Sequence, residues 1–220
     1  MPGADQPEAT PSEWIRVSGA ALCRIEHQRR FFLLLNSNRR KKGVYVLSPI
    51  GGALCLYEPL RLVEFGAILE NQTENELRLA LPRHSLPEFS AWFYTGQDRE
   101  RSPFRELHEE LVLESRLLPA LTPDDVDCQY LWTVEEETLT DRQGQTGLLT
   151  HYFLEIYDIK FKTSAALGPL LVAPPDSGAA WVSADQIARC ATLSLPVDGA
   201  LRDVHVRAEL VLHPPEEREA

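Results

Sequence analysis

The chain has 220 residues, 44% of them apolar, and a formal charge of −11, which suits one large domain or two small ones with a sizeable core. The acidic balance excludes a general attraction for nucleic acid, and no apolar run approaches the ~18 residues of a membrane span. The beginning, MPGADQPEATPSEW, has neither a basic start nor an apolar stretch, so no secretory leader is expected. Four scattered cysteines (Cys23, Cys55, Cys128 and Cys190) show no CxxC or zinc-ligand spacing and read as reduced core residues of a cytoplasmic protein.

Residues 1–13 and 214–220 are rich in proline and glutamate and are expected to be disordered tails, leaving 14–213 as one domain. ALCRIEH, RRFFLLLN and GVYVLS read as strands. NRRKK (38–42), the only basic cluster, reads as a charged hairpin tip rather than a phosphate collector. SPIGGAL is a proline- and glycine-punctuated loop, and ELRLAL alternates as a strand should. SLPEFSAWFYTG predicts a helix capped by Ser85 and ended by Gly96 in a left-handed conformation.

SPFRELHEELVLE (102–114) predicts a helix over 103–118, with Ser102 at its N-cap and Pro103 in the first turn. CQYLWTVEEETL and LLTHYFLEIYDIKF are β-rich runs joined by TDRQGQTG as a hairpin. AAWVSADQIARC reads as a strand entering a helix capped by Ser183, and DGALRDVHVRAEL as a last helix from Asp198. Strands outnumber the helices set among them, so the class is α+β or a three-layer α/β/α arrangement.

At about 100° per residue, Phe104, Leu107, Leu111 and Leu118 form one apolar stripe, and Glu106, Glu109 and Glu110 share the opposite face. A solvated helix gives the same picture. Yet Glu106–Glu110 and Glu106–Glu109 are like-charge pairs, each costing a few tenths of a kcal/mol, and no lysine lies on that face. A divalent cation would convert this repulsion into coordination, and carboxylates without histidine or thiolate favour magnesium or manganese over zinc.

Arg105-Glu106-Leu107-His108-Glu109-Glu110 resembles the R-E-U-x-E-E core of the Nudix box, the metal-binding loop–helix of nucleoside-diphosphate-X hydrolases. Gly96, nine residues before the arginine, Ser48–Leu54 (SPIGGAL) and Ala180–Asp185 (AWVSAD) resemble further features of that family. The pattern also departs from the usual box. Gly52 precedes Arg105 by fifty-three residues, far more than usual, as if an insertion of roughly 55–95 split the motif. Gln97 stands where the box has its upstream glutamate, with Asp98 or Glu100 as substitutes, and Val112 stands where it has a glycine. This combination resembles the SMODS-associated Nudix subgroup, which is linked by gene neighbourhood to bacterial nucleotide-signalling and antiviral systems. The fold so implied is α+β: a Nudix-type α/β/α sandwich with a mixed sheet and an insertion between the Gly-Gly loop and the box helix.

The resemblance implies Glu106, Glu109 and Glu110 as ligands of Mg2+ (or Mn2+), with Glu109, Glu110 and Arg105 as the catalytic set, Arg105 by orienting the carboxylates. Gly51 and Gly52 would let backbone approach a phosphate or the box helix. Glu100, Glu136 and Glu155, with Glu135 and Glu137, are candidates for a further ligand or base. Two functions follow. One is a magnesium-dependent hydrolase of a diphosphate linkage in a nucleoside triphosphate or other nucleoside diphosphate derivative. The other is a catalytically weak sensor of a nucleotide signal. Both take a nucleotide as small-molecule partner, neither needs a membrane or a nucleic acid, and the sequence leaves a homodimer open.

Overall fold

The apolar, β-rich stretch WIRVSGAALCRIEH forms β1 (Trp14–His27), the strand around which the others assemble. The computed structural model describes residues 13–71, 73–140 and 147–214. Apart from residues 13 and 214, the expected tails lie outside these, as do residues 141–146 of the expected hairpin. On one side β1 pairs in parallel with β8 (Leu149–Phe161), from Arg16↔Thr150 to Ile25↔Ile159. On its other side lie, antiparallel, β4 (Gly51–Ala53) and β6 (Arg78–Pro82), and β6 carries the short β5 (Ile68–Leu69). β7 (Val126–Leu139) completes a long antiparallel hairpin with β8.

The end of β1 turns through Gln28 and Arg29, both at positive φ (49° and 61°), into β2 (Arg30–Leu35), a two-residue connection whose twist suits a hairpin. β2 pairs with β3 (Val46–Ser48) and β9 (Ala179–Ser183). β3 in turn runs parallel to β11 (Ala200–Val206), whose antiparallel neighbour is β10 (Thr192–Val197). The result is a mixed sheet with helices, an α+β fold.

The consecutive apolar residues of FFLLL are explained by burial on both faces. Phe31 and Leu33 enter one core with Leu47, Val182 and Val204; Phe32 and Leu34 enter the other with Ile50, Phe89 and Leu107. The second core holds the helices that matter for the site. α2 (Leu86–Thr95) buries Phe89, Trp92 and Phe93, and Gly96 ends it at φ 67°, as the sequence predicts. Residues 55–95 thus contribute β5, β6 and the core helix α2 to the fold.

Two expectations about the strands fail. SPIGGAL is not wholly loop, because Gly51–Ala53 pairs with Ala20–Leu22 of β1. Asp198 does not begin a helix: Asp198 and Gly199, at φ 54° and 74°, form the turn of the β10–β11 hairpin. A short 3-10 turn at Glu209–Val211 is all the helix that follows. The capped helix after β9 does form as α5 (Ala184–Ala188), with Ser183 and Gln186 in a capping box.

One ion pair is sealed inside the helical core. Arg99, lying over the Phe93 ring at 3.9 Å, donates to Glu155 at 2.7 and 3.3 Å. It also donates to the Phe93 carbonyl at 2.8 and 3.0 Å and to the Glu100 carbonyl at 2.9 Å. Tyr157 donates to the same Glu155 carboxylate at 2.8 Å. Glu155→Ala would strand a buried guanidinium and is expected to cost about 3–5 kcal/mol, a fall in Tm of roughly 10 °C or more for a chain of this size. Thermal unfolding without added metal checks this, and an unchanged Tm contradicts it.

Candidate functional site

The glutamate segment begins as α3 (Phe104–His108), with Ser102 Oγ accepting from the Phe104 amide at 3.2 Å. It does not continue as an α-helix to 118. From Glu109 to Glu114 it widens into a π-helical turn, and the Ser115 amide reaches back five residues to the Glu110 carbonyl at 3.0 Å. The apolar stripe holds: Leu107, Leu111 and Leu118 are buried. That anchors the opposite, acidic face toward β4.

The two glycines of β4 make the approach close. The Gly51 amide donates to Glu110 Oε1 at 3.0 Å. A Cβ on Gly52 would overlap the Glu106 carboxylate, and one on Gly51 would overlap the Ala21 carbonyl of β1. Arg105 completes the joint. Its Nη2 donates to the Ala53 carbonyl at 2.6 Å and to Glu100 Oε2 at 3.0 Å. Its Nη1 lies 2.8 Å from Glu106 Oε1 and 3.3 Å from Glu109. Glu100, buried at 9% exposure, also accepts from the Cys55 amide at 3.0 Å. It therefore holds the arginine from the segment just before the helix.

Glu106, Glu109, Glu110, Arg105, Gly51 and Gly52 line one cavity of ≈ 270 Å³. The remaining candidates stand elsewhere. Glu155 is committed to Arg99 and Tyr157. Glu135 pairs with His151 at 2.8 Å and with Tyr94, and Glu137 pairs with Arg83 at 2.5 Å. Glu136 is an exposed residue of β7 and, like these three, does not line the cavity. Glu76, Arg78 and Glu114 do line it, as do Ser37 and Asn38. Glu114 was within reach of the sequence, standing four residues after Glu110 on a helical face. Glu76 and Asn38 come from distant segments, and no local pattern marks them.

NRRKK stands exposed at the tip of the antiparallel β2–β3 hairpin, as read from the sequence, and its connection is a short helix. Asn36 caps α1 (Ser37–Arg40), its side chain accepting from the Arg39 amide at 3.0 Å. This short helix stands over the cavity, and Arg40 pairs with Asp198 of the β10–β11 turn.

Five carboxylates and two guanidinium groups face this cavity, and the imbalance is partly buried. Burial pushes the Glu110 carboxyl up to about 7, against the Gly51 amide, with Glu106 and Glu114 adding to the rise. Burial also raises Glu106, over the opposing pull of Arg105. The oxygen-only donor set and the uncompensated negative charge suit a hard divalent cation. Among the described residues, however, no three such side chains converge as a ready metal cage: Arg105 lies between Glu106 and Glu109, and Glu110 is turned to Gly51. Glu109, with 43% of its side chain exposed, is more open than Glu106 at 13%.

A family model described as the SMODS-associated NUDIX domain matches residues 14–197. No curated protein matches the chain, and no solved structure does. Among the described residues no helix is long and apolar enough to cross a membrane.

Because the folded Glu110 binds its proton more tightly than the unfolded chain does, stability without metal should fall as pH rises from about 4.5 toward 7, then level off. A bound cation should remove that loss. Thermal unfolding at pH 5 and pH 8, with and without magnesium, is expected to show a Tm gain of several degrees at pH 8 and little at pH 5. Glu110→Gln should flatten the pH slope. Equal magnesium effects at both pH values contradict this account.

Proposed function

Because the chain belongs to the SMODS-associated NUDIX domain family, we propose that it is a magnesium- or manganese-dependent Nudix hydrolase. Its reaction is cleavage of a diphosphate linkage in a nucleoside triphosphate or other nucleoside diphosphate derivative, most simply releasing a nucleoside monophosphate and pyrophosphate. The observation that carries this reading is the joint between the Gly51–Gly52 edge and the carboxylates of Glu106, Glu109 and Glu110. Nothing in the packing of a plain acidic helix calls for bare glycine backbone against two half-buried glutamates.

In this reading Glu106, Glu109 and Glu110 hold the cation, which when bound polarises a phosphoryl oxygen and activates water. The chain's own groups do the positioning. Arg105 orients the carboxylates and ties the helix to β4 through the Ala53 carbonyl. Glu100 fixes the arginine. Gly51 and Gly52 let the carboxylates close on the β4 backbone at the wall where the phosphates would lie. Phosphoryl transfer depends mainly on positioning and charge stabilisation, so few further groups are needed. Glu109, the more open of Glu106 and Glu109, would also take the proton from attacking water.

The family's description associates it with SMODS, which supports, with the resemblance in the sequence, a role in bacterial nucleotide signalling and antiviral defence; a cytoplasmic setting is part of the same proposal. A second reading, a nucleotide sensor with weak or lost hydrolysis, draws on one observation: Arg105 stands between two of the intended ligands.

A substrate screen separates them. The protein is incubated with magnesium or manganese and nucleoside triphosphates (inosine and deoxy forms included), nucleotide sugars, dinucleotides and cyclic oligonucleotides. Metal-dependent turnover is expected, with Glu109→Gln and Glu110→Gln each lowering it on the order of 10²–10³-fold. Tight binding of one compound with no turnover of any would support the sensor instead.

A further inference from the structure

Three cavities meet at one short helix. Ser37 and Asn38 of α1 border the acidic cavity. Ser37 and Arg40 border a space of ≈ 170 Å³ that Glu110 and Glu114 also line, so α1 reaches both sides of these glutamates. Arg39 borders a third space of ≈ 630 Å³, walled by Leu22, Val46 and Leu210. Yet α1 has no apolar hold on the fold: none of its residues is buried, and residues 37–44 are exposed throughout. The foot of the connection is closed, with the Asn36 amide donating to the Val46 carbonyl at 2.8 Å. Beyond that foot the helix depends on polar ties rather than on packing.

One of these ties crosses to another hairpin. Arg40 pairs with Asp198 in the β10–β11 turn, the two side chains being 42% and 43% exposed. The Tyr45 hydroxyl lies 3.5 Å from the same carboxylate, and Arg202 of β11 lies over the Tyr45 ring at 5.5 Å. The Arg40 hydrogen bond holds Asp198 below the usual carboxylate range, so the pair is charged near neutral pH. An exposed pair of this kind holds weakly and is screened by salt, which suits a contact that is broken and remade. We propose that Asp198 is a positioning residue: through Arg40 it clasps the tips of the β2–β3 and β10–β11 hairpins together, and this clasp sets whether α1 closes over the glutamate cavity. Closed, α1 brings to that cavity the Ser37 hydroxyl and the Asn38 amide, donors for phosphate oxygens, and no carboxylate for a cation. Released, it lets the three spaces open into one cleft. The clasp goes beyond the hydrolase reading and rests on it only for what the cavity receives.

Subsecond hydrogen exchange, read by mass spectrometry, tests the clasp in the free protein. Asp198 stands at φ 54°, a conformation that asparagine tolerates, so Asp198→Asn removes the charge and keeps the turn. The amides of residues 40–44 bond within the connection. They are expected to exchange about threefold faster in Asp198→Asn and in Arg40→Ala. Arg40→Lys should stay close to the wild type, with the β10–β11 strands unchanged and every Tm within about 2 °C. Salt at about 1 M should bring the wild type to the rate of Asp198→Asn and leave that variant where it is. Equal exchange in wild type and Asp198→Asn overturns the proposal, as does faster exchange throughout the sheet. Calorimetry adds a readout that loosened packing alone would not move. Manganese affinity should be the same in both proteins. Inorganic pyrophosphate in magnesium should bind Asp198→Asn on the order of three- to tenfold more weakly, the loss of one or two hydrogen bonds. Pyrophosphate bound equally by both, or a matching fall in manganese affinity, overturns the positioning role. If the wild type binds no pyrophosphate, the hydrolase reading fails and the exchange result alone decides the clasp.

Discussion

Everything proposed for this protein depends on one close contact: the bare backbone of Gly51 and Gly52 against the carboxylates of the glutamate helix. Side chains at these positions would meet the Ala21 carbonyl and the Glu106 carboxylate. Without them the Gly51 amide reaches Glu110, and Arg105 reaches over the next residue to the Ala53 carbonyl. The contact brings negative charge out of water and leaves it undercompensated, which is a poor way to stabilise a fold. It is a sensible way to leave a place for a cation.

The rest of the architecture holds that contact still. β4 is fixed by three residues of β1, which is itself paired along most of its length with β8. From the other side, Leu107 and Leu111 press the helix into the core beneath α2. Arg99 joins these layers. It is held by Glu155 of β8 and by the C-terminal turn of α2, and its neighbour Glu100 grips Arg105. A buried pair outside the cavity lining thus supports the arginine that contacts the carboxylates.

Much of this was legible in the sequence because it is local. The acidic face, the apolar stripe and the order R-E-L-H-E-E lie within one helix. The paired glycines and the left-handed Gly96 are signals with a backbone cause. Glu155 was a reasonable candidate from its residue type alone, but only tertiary packing reveals Arg99 beside it. The widening at Glu109–Glu114 has no sequence signature, so an ideal 100° wheel drifts after His108, although Leu111 and Leu118 still reach the core. The β10–β11 hairpin is a different kind of miss. Asp198-Gly199 is a strong hairpin-turn dipeptide, and the alternation through Val204 and Val206 was readable, but the helix-like spacing of ALRDVHV competed with it. The basic segment was legible as a hairpin tip, but not that Ser37 and Asn38 border the acidic cavity, which depends on distant segments.

The most direct measurement of the central claim is manganese affinity, read by water-proton relaxation, in the wild type and in Gly52→Ala. The added methyl meets only the end of a flexible glutamate, so Tm should stay within a few degrees while the Glu106 carboxylate is displaced. The account predicts a fall in manganese affinity of about tenfold or more. Unchanged affinity in a folded Gly52→Ala protein would contradict it, because the glycine edge would then have no part in forming the site.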